Sequence, residues 1–332
     1  MEEEGKMPTN LPPQYFDAEK RFREAKTTPE KVAALEAMLA IMPHHKGTDK
    51  LRAGLRKRLS KLRDEQERRK GGSRAALFSV KREGAGQVAL VGVPNAGKSQ
   101  LMAALTNAEP EVGDYPFTTQ LPQAGMAPFE NIQIQLVDLP PLSPEHTEHW
   151  AFNIMRGADV LLLVLDLSQD PVSELETIRE ILQGQRIILE GEATKDTEPG
   201  SFIKRWLLVG NKGDLPGAAE YAAIFRELYG ERFPLTIISA QEGTGLEGVR
   251  SRLFSLLNVL RVYSKRPGHE AVLNNPVILP QGSTVLDLAK EIHKDFAAKL
   301  DYARIWGQGK YDGQRVNRDY TLHDGDIIEL HM

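Results

Sequence analysis

The stretch GVPNAGKS, Gly92 to Ser99, decides the fold of the central part of this chain. It follows the apolar run Val88–Val91 and precedes a segment of helical character from Ser99 to Leu105. A strand, a glycine-bearing loop and a helix in that order make a phosphate cradle. Gly92 and Gly97 allow the backbone to curl so that amide N–H groups converge on a phosphate, and the helix N-terminus adds partial positive charge. Lys98 is expected to reach the β- and γ-phosphates of a nucleotide, and the Ser99 hydroxyl to ligate Mg2+. The expected lining is Gly92, Val93, Pro94, Asn95, Ala96, Gly97, Lys98, Ser99 and Gln100.

Outward from that loop, short apolar runs alternate with helical segments. Val88–Val91, Ile132–Val137, Val160–Asp166, Leu207–Gly210 and Leu235–Ser239 read as strands, with helices near 99–105, 150–155, 172–182, 218–229 and 246–257. The alternation predicts an α/β fold with a mainly parallel sheet covered by helices on both faces. Ligands of such sheets lie beyond the carboxyl ends of the strands. NKGD, Asn211 to Asp214, sits at one such end. The Asp214 carboxylate accepts hydrogen bonds only, so it suits the ring N–H and exocyclic amine of guanine and rejects adenine, which presents an acceptor there. Asn211 is expected to tie this loop to the phosphate loop, the Lys212 stem to cover the base, and Ser239–Ala240 to offer a backbone N–H to the guanine carbonyl. Asp138, ending the strand 132–137, is expected to hold Mg2+ through a water. Thr119, in YPFTT at Tyr115–Thr119, is expected to complete the metal shell when GTP is present, with Thr118 as the alternative.

The flanks differ in texture. Met1–Pro13 is polar and reads as a mobile tail without the apolar segment of a signal peptide. Residues 14–75 read as a basic helical hairpin, with one apolar stripe at Val32, Leu35, Leu39 and Met42 and another at Leu51, Leu55, Leu59 and Leu62. Thr28 is the expected cap of the first stripe, ahead of Pro29. Lys and Arg outnumber Asp and Glu between Lys50 and Arg74, whereas the whole chain has a net charge of -4, so the remainder is acidic. Residues 84–262 form the expected nucleotide-binding domain, 263–275 a linker, and 276–332 a small α+β unit of the β-grasp kind. The absence of cysteine excludes disulfides and thiolate metal sites. The most apolar run, Val160–Leu167, contains Asp166 and is too short to span a bilayer, so a soluble, cytoplasmic chain without membrane insertion is expected.

GVPNAGKS, GDYPFTT, VDLP, NKGD and SA occur in the order found in the Obg/DRG branch of translation-factor-class P-loop GTPases, and the chain resembles that family. The basic hairpin is similar to the family's N-terminal helical region. HKDFAAKLDYARIWG at 293–307 and QRVNRDYTLHDGDIIEL at 314–330 are similar to its C-terminal TGS domain. The resemblance implies hydrolysis of GTP to GDP and phosphate, with Lys98, Thr119 and Asn95 as catalytic residues and Ser99, Thr119 and Asp138 as metal ligands. It also implies a ribosome or RNA partner reached through the basic helices and the TGS domain, a protein cofactor, and no DNA partner. The third motif departs from the family pattern Asp-x-Pro-Gly, because Pro141 stands where the glycine donates its N–H to the γ-phosphate. Leu142 follows where a water-orienting Gln would stand. Asn95 matches the loop residue that helps bind K+ in relatives with an apolar residue there, implying slow, K+-stimulated hydrolysis. The alternative reading, motivated by Pro141, is a guanine-nucleotide-binding scaffold that does not hydrolyse.

Overall fold

The computed structural model describes residues 12–25, 27–42, 48, 51–62, 78–106, 121–145, 147–195, 197–271, 273–307 and 311–332. The chain divides into two compact units, Met1–Phe78 and Ser79–Met332.

The first unit contains three helices among its described residues: α1 (Pro13–Glu24), α2 (Thr28–Ile41) and α3 (51–62). The two apolar stripes read from the sequence fall on α2 and α3. The helix α1 is an addition to the expected hairpin, and it buries Tyr15 and Ala18 in a small core with Leu35, Met38, Met42 and Leu55. The cap of α2 lies one residue earlier than expected. The Thr27 hydroxyl accepts from the Glu30 N–H (3.4 Å) while the Glu30 carboxylate accepts from the Thr27 N–H (3.1 Å), a reciprocal capping box. Arg52 is buried and donates to the Met42 carbonyl (2.6 Å), which satisfies an orphan acceptor just past α2. Arg56, Lys57, Arg58 and Lys61 are exposed on α3.

The second unit opens with a seven-stranded sheet. Its strands are β1 (Gln87–Val91), β2 (Gln123–Phe129), β3 (Ile132–Asp138), β4 (Val160–Asp166), β5 (Ile187–Leu189), β6 (Phe202–Asn211) and β7 (Leu235–Ile237). The order is β2-β3-β1-β4-β6-β5, with β7 also on β6, and every pairing is parallel except β2 on β3. Residues alternate between two cores as the strand period requires: Ala89, Val91, Leu161, Leu163 and Leu165 enter one, Val88, Leu90, Val160, Leu162 and Val164 the other. The first core is closed by α5 (His149–Gly157), α6 (Pro171–Gly184) and α7 (Ala218–Tyr229), the second by α4 (Lys98–Thr106) and α8 (Leu246–Leu257). Burial on both faces explains why β1 and β4 read as unbroken apolar runs.

A second sheet follows, built from β8 (Val259–Lys265), β9 (Val277–Pro280), β10 (Tyr302–Trp306), β11 (Gln314–Val316) and β12 (Asp326–His331) in the order β11-β10-β12-β8-β9. α9 (Val285–Ile292) and α10 (Lys294–Lys299) pack on one face, where Leu288 and Ala289 meet Leu260, Val262, Ala303, Ile305 and Ile328. Asn258, left-handed at φ 56, ends α8 and starts β8 at once. Residues 259–265, which the sequence reading divided between the nucleotide domain and a linker, are therefore strand residues of the second sheet. Arg261 on β8 pairs with Asp324 (2.7 Å) and with Glu130, in the β2–β3 turn. Asn131 in the same turn donates to the Tyr263 hydroxyl (2.5 Å) and to the Leu273 carbonyl (2.9 Å). Among the described residues no helix is long and apolar enough to cross a membrane.

Candidate nucleotide-binding site

β1, β3, β4 and β6 run parallel and end at the same edge of the first sheet, which gathers four loops there. The loop after β1 is GVPNAGKS. A Cβ on Gly92 would lie 2.6 Å from the Val164 carbonyl oxygen, and one on Gly97 (φ 86) 2.3 Å from the Asn211 amide nitrogen. Both positions exclude side chains, the second because it lets Asn211 close on the loop. Asn95 is exposed and left-handed (φ 66), a conformation that asparagine tolerates better than most residues.

Lys98 opens α4 and folds back over its own loop, donating to the carbonyls of Gly92 (3.0 Å) and Val93 (3.2 Å). Burial lowers its pKa, and the charges of Asp138 and Glu174 work against that. The Ser99 hydroxyl donates to Asp138 Oδ2 (2.5 Å). Burial raises the pKa of Asp138, opposed by Ser99 and by the Lys98 charge. The other oxygen, Asp138 Oδ1, is buried and accepts no hydrogen bond. A buried carboxylate oxygen left unsatisfied beside a hydroxyl is the donor set that Mg2+ takes, so the residues present fit the ion. Thr119 and the rest of YPFTT lie outside the described residues.

Asn211 is the keystone between loops. Its side-chain amide donates to the Ala96 carbonyl (3.0 Å), and its carbonyl accepts from the Ala240 N–H (3.0 Å). Gly213 donates to the Ile238 carbonyl (2.9 Å), and Asp214 is exposed in the turn that follows. Lys212 is left-handed (φ 63) and its ammonium donates to Asp166 Oδ2 (2.5 Å) at the end of β4. Burial works to raise the Asp166 pKa, but Lys212 and the Ser168 hydroxyl and N–H outweigh it and hold the carboxyl below its ordinary value. Glu174 of α6 accepts from the Asp166 N–H (2.9 Å), and burial pushes its pKa up to about 7. Gln241 accepts a hydrogen bond from Gln100 of α4, across the loops. Asp166, Glu174 and Gln241 contact the candidate site's loops and were not singled out by the motif reading. An acidic end to an apolar strand was the one visible signal for Asp166.

One expected contact is taken up within the protein itself. Ser239 and Ala240, expected to present an N–H to the base, both have that group engaged: Ser239 donates to the Thr244 carbonyl (3.1 Å) and Ala240 to Asn211. The third motif is closed as well. Pro140 and Pro141 have no N–H, Leu142 donates to the Gly92 carbonyl (3.0 Å), and Ser143 to the Thr147 hydroxyl (3.0 Å). Every backbone donor from 140 to 143 is thus absent or engaged. Leu139 and Leu142 are buried in the core under α5 and α6, which fixes the segment from both ends.

Comparison with known proteins agrees with this geometry. Residues 87–191 match the family model described as 50S ribosome-binding GTPase, and residues 260–332 match the TGS domain. A GTP-binding protein of Methanocaldococcus jannaschii is 29% identical, with 91% of this chain and 92% of that protein covered. The human developmentally-regulated GTP-binding protein 2 is 24% identical over 91% of this chain and 98% of its own. Among solved structures, the YchF GTPase of Schizosaccharomyces pombe superposes with a TM-score of 0.54 at 14% identity, covering 76% of this chain and 99% of that one. A GTP-binding protein of Pyrococcus horikoshii gives 0.51 at 19%, covering 74% and 99%. The TGS match begins at residue 260, within one residue of the start of β8. With a phosphate loop, the NKGD loop and that second sheet in one chain, this protein carries a P-loop GTPase domain joined to a C-terminal TGS domain and is similar to the developmentally-regulated GTP-binding proteins.

Proposed function

We propose that the protein binds GTP with Mg2+ and hydrolyses it slowly to GDP and phosphate, acting in the cytoplasm as a ribosome- or RNA-associated regulator. The observation that supports this most is the convergence of Lys98, Ser99 and Asp138, with one buried carboxylate oxygen left for a cation, at the end of the sheet where Asn211 joins the phosphate and guanine loops. In this reading Lys98 leaves its own loop carbonyls for the β- and γ-phosphate oxygens, where its charge offsets what develops on the leaving bridge oxygen. Ser99 and Asp138 would hold Mg2+, with Thr119, and the bound ion would neutralise β,γ-phosphate charge. Asp214 selects guanine, and the Lys212 stem covers it, anchored by Asp166.

No side chain at 142 orients the attacking water, because Leu142 is buried in the core. Positioning and charge must then supply most of the acceleration, with K+ held through Asn95 as one source of charge. Multiple-turnover phosphate release in GTP, Mg2+ and K+, set against Lys98→Ala, tests the reading. Release above that control, lower in Na+ and lower in Asn95→Ala, is expected. Equal rates in Na+ and K+ with no effect of Asn95→Ala would remove the K+ role.

The second reading is a guanine-nucleotide-binding scaffold that does not turn over. It draws support from the engaged or missing donors between Pro140 and Ser143. Phosphate release indistinguishable from Lys98→Ala, with GTP still bound, would favour it.

A further inference from the structure

Relative motion is the default for two domains in one chain, and it needs a linker and a loose contact. Here α8 passes into β8 across Asn258 alone, and the β2–β3 turn is gripped by the second sheet. Arg261 of β8 makes the centre of that grip. Its Nη2 meets Asp324 Oδ2 (2.7 Å), its Nε and its own N–H meet Asp324 Oδ1 (3.0 and 2.7 Å), and its Nη1 meets Glu130 of the turn. The Arg261 side chain is 13% exposed, which shields these pairs from the water that leaves surface ion pairs worth little. Its guanidinium lies 4.9 Å from the centre of the Phe254 ring on α8, and Phe254 packs on Phe129 at the end of β2 (5.2 Å). Asn131 adds its bond to the hydroxyl of Tyr263, which is buried. Glu130 is left-handed (φ 48), a conformation that costs a glutamate energy and is kept here by its surroundings.

From that turn the β2–β3 ribbon runs to the nucleotide site. β2 is an edge strand paired with β3 alone, and the register ends with Gln123 opposite Asp138. Midway, Gly125 lies against α4: a Cβ there would come within 2.8 Å of the Met102 side chain and 2.9 Å of Thr106. The ribbon therefore touches the second sheet at its turn, the helix of Lys98 and Ser99 in its middle, and ends on the carboxylate that faces Ser99. β1 holds β3 on the other side, with Leu90 opposite Asp138, so the ribbon adjusts the place of Asp138 rather than creating it.

We infer that the second sheet is a positioning element of the nucleotide site: Arg261 and Tyr263, by gripping Glu130 and Asn131, set the β2–β3 ribbon and through it the Asp138 carboxylate. None of these four residues contacts the candidate site's loops, so each acts through the ribbon as a positioning residue. The inference rests on the Mg2+ part of the proposed function and gives the second sheet a share in it. Coupling carried between separated sites by packed elements changes affinity by about 2- to 30-fold, and the support from β1 puts this case toward the lower end.

The test is titration of the full-length protein with fluorescent GDP, once in saturating Mg2+ and once in EDTA, in the wild type and in Glu130→Asn combined with Asn131→Ala. Asparagine tolerates the left-handed backbone at 130 with a shorter side chain, and Arg261 keeps Asp324, so the second sheet retains its own ion pair. The gain in GDP affinity on adding Mg2+ should shrink about fivefold in the double variant, while affinity in EDTA changes by less than about twofold. Asn131→Ala alone should shrink the gain by a smaller factor. Lys290→Ala, which breaks the Lys290–Asp287 pair on α9, should not alter it. Amide hydrogen exchange across residues 123–138, measured without nucleotide, should be faster in the double variant than in the wild type. A Mg2+ gain that both turn variants keep, an equal loss in Mg2+ and in EDTA, the same loss in Lys290→Ala, or unchanged exchange in the double variant overturns the inference and leaves the Mg2+ reading standing. A wild-type protein whose GDP affinity ignores Mg2+ overturns both, and is told apart because the wild type itself then fails.

Discussion

Two segments flank the expected position of the γ-phosphate, and they are built in opposite ways. Gly92–Ser99 keeps side chains away at Gly92 and Gly97 and has Lys98 folded over its loop. Leu139–Ser143 holds two prolines and two buried leucines, with no uncommitted backbone donor from Pro140 to Ser143. In the proposed function the first is the phosphate site; the second is a wall that ties itself to the first through Leu142 and Gly92. On the proposed reading, the contrast makes affinity for a guanine nucleotide and sensitivity to its γ-phosphate separate properties, set by different segments.

The comparison can be broken most forcefully at the cradle. Lys98→Ala should weaken both GDP and GTP analogues by about 100-fold or more, from two charge-assisted hydrogen bonds of about 1.5–3 kcal/mol each. Titration with a fluorescent nucleotide checks it, and equal losses for both ligands would sharpen the claim that the cradle binds without discriminating. Pro141→Gly attacks the wall. Restoring a donor at that position should raise preference for a GTP analogue over GDP by roughly 10- to 100-fold, the worth of one hydrogen bond to a charged group. An unchanged preference would mean that the buried leucines, not the missing N–H, keep the segment from responding.

Asp166→Asn tests whether the guanine loop belongs with the cradle. Freed from its ion pair, Lys212 should lose its fixed path, and both nucleotides should weaken by about tenfold, read as faster dissociation in stopped flow. The smallest effect is on pH. Glu174 titrates near 7 in the folded protein against an ordinary value of 4.5, so the folded state holds the extra proton between those values. Its contribution to stability is present at acid pH and is lost as pH rises through about 7. Asp138, also raised, acts in the same direction. The melting temperature without nucleotide should therefore fall from pH 5 to pH 8, and Glu174→Gln should flatten that fall. A melting temperature that rises over this range in the wild type and is unaffected by Glu174→Gln would remove Glu174 from the account.

Much of the first sheet was legible because its strands are buried on both faces and its helices carry regular stripes. The apolar runs at Val88–Val91 and Val160–Asp166 match β1 and β4 almost to the residue. β2 was not legible, since QAGMAPF holds a glycine and a proline and is an antiparallel edge strand with an exposed start. β5 is three residues long, too short to show a period. β8 was misplaced because Val259 follows the last helical residue, Leu257, across the single left-handed residue Asn258. At the candidate site, motif spacing singled out Lys98, Ser99, Asp138 and Asn211, which the structure gathers at one edge of the sheet. They did not reveal Asp166 and Glu174, which act through burial and neighbouring charge. Nor did they show that the Ala240 N–H would be taken by Asn211. Pro141 announced a missing donor, but the engagement of Leu142 and Ser143 depends on how the chain folds back.

The most direct measurement is the ratio of dissociation constants for GDP and a non-hydrolysable GTP analogue, taken by competition against one fluorescent guanine nucleotide in Mg2+. With the third motif closed, the two constants should agree within about tenfold, at or below the roughly 10- to 100-fold that one γ-phosphate hydrogen bond is worth. A preference for the GTP analogue of about 100-fold or more in the wild-type protein would contradict the separation of binding from switching.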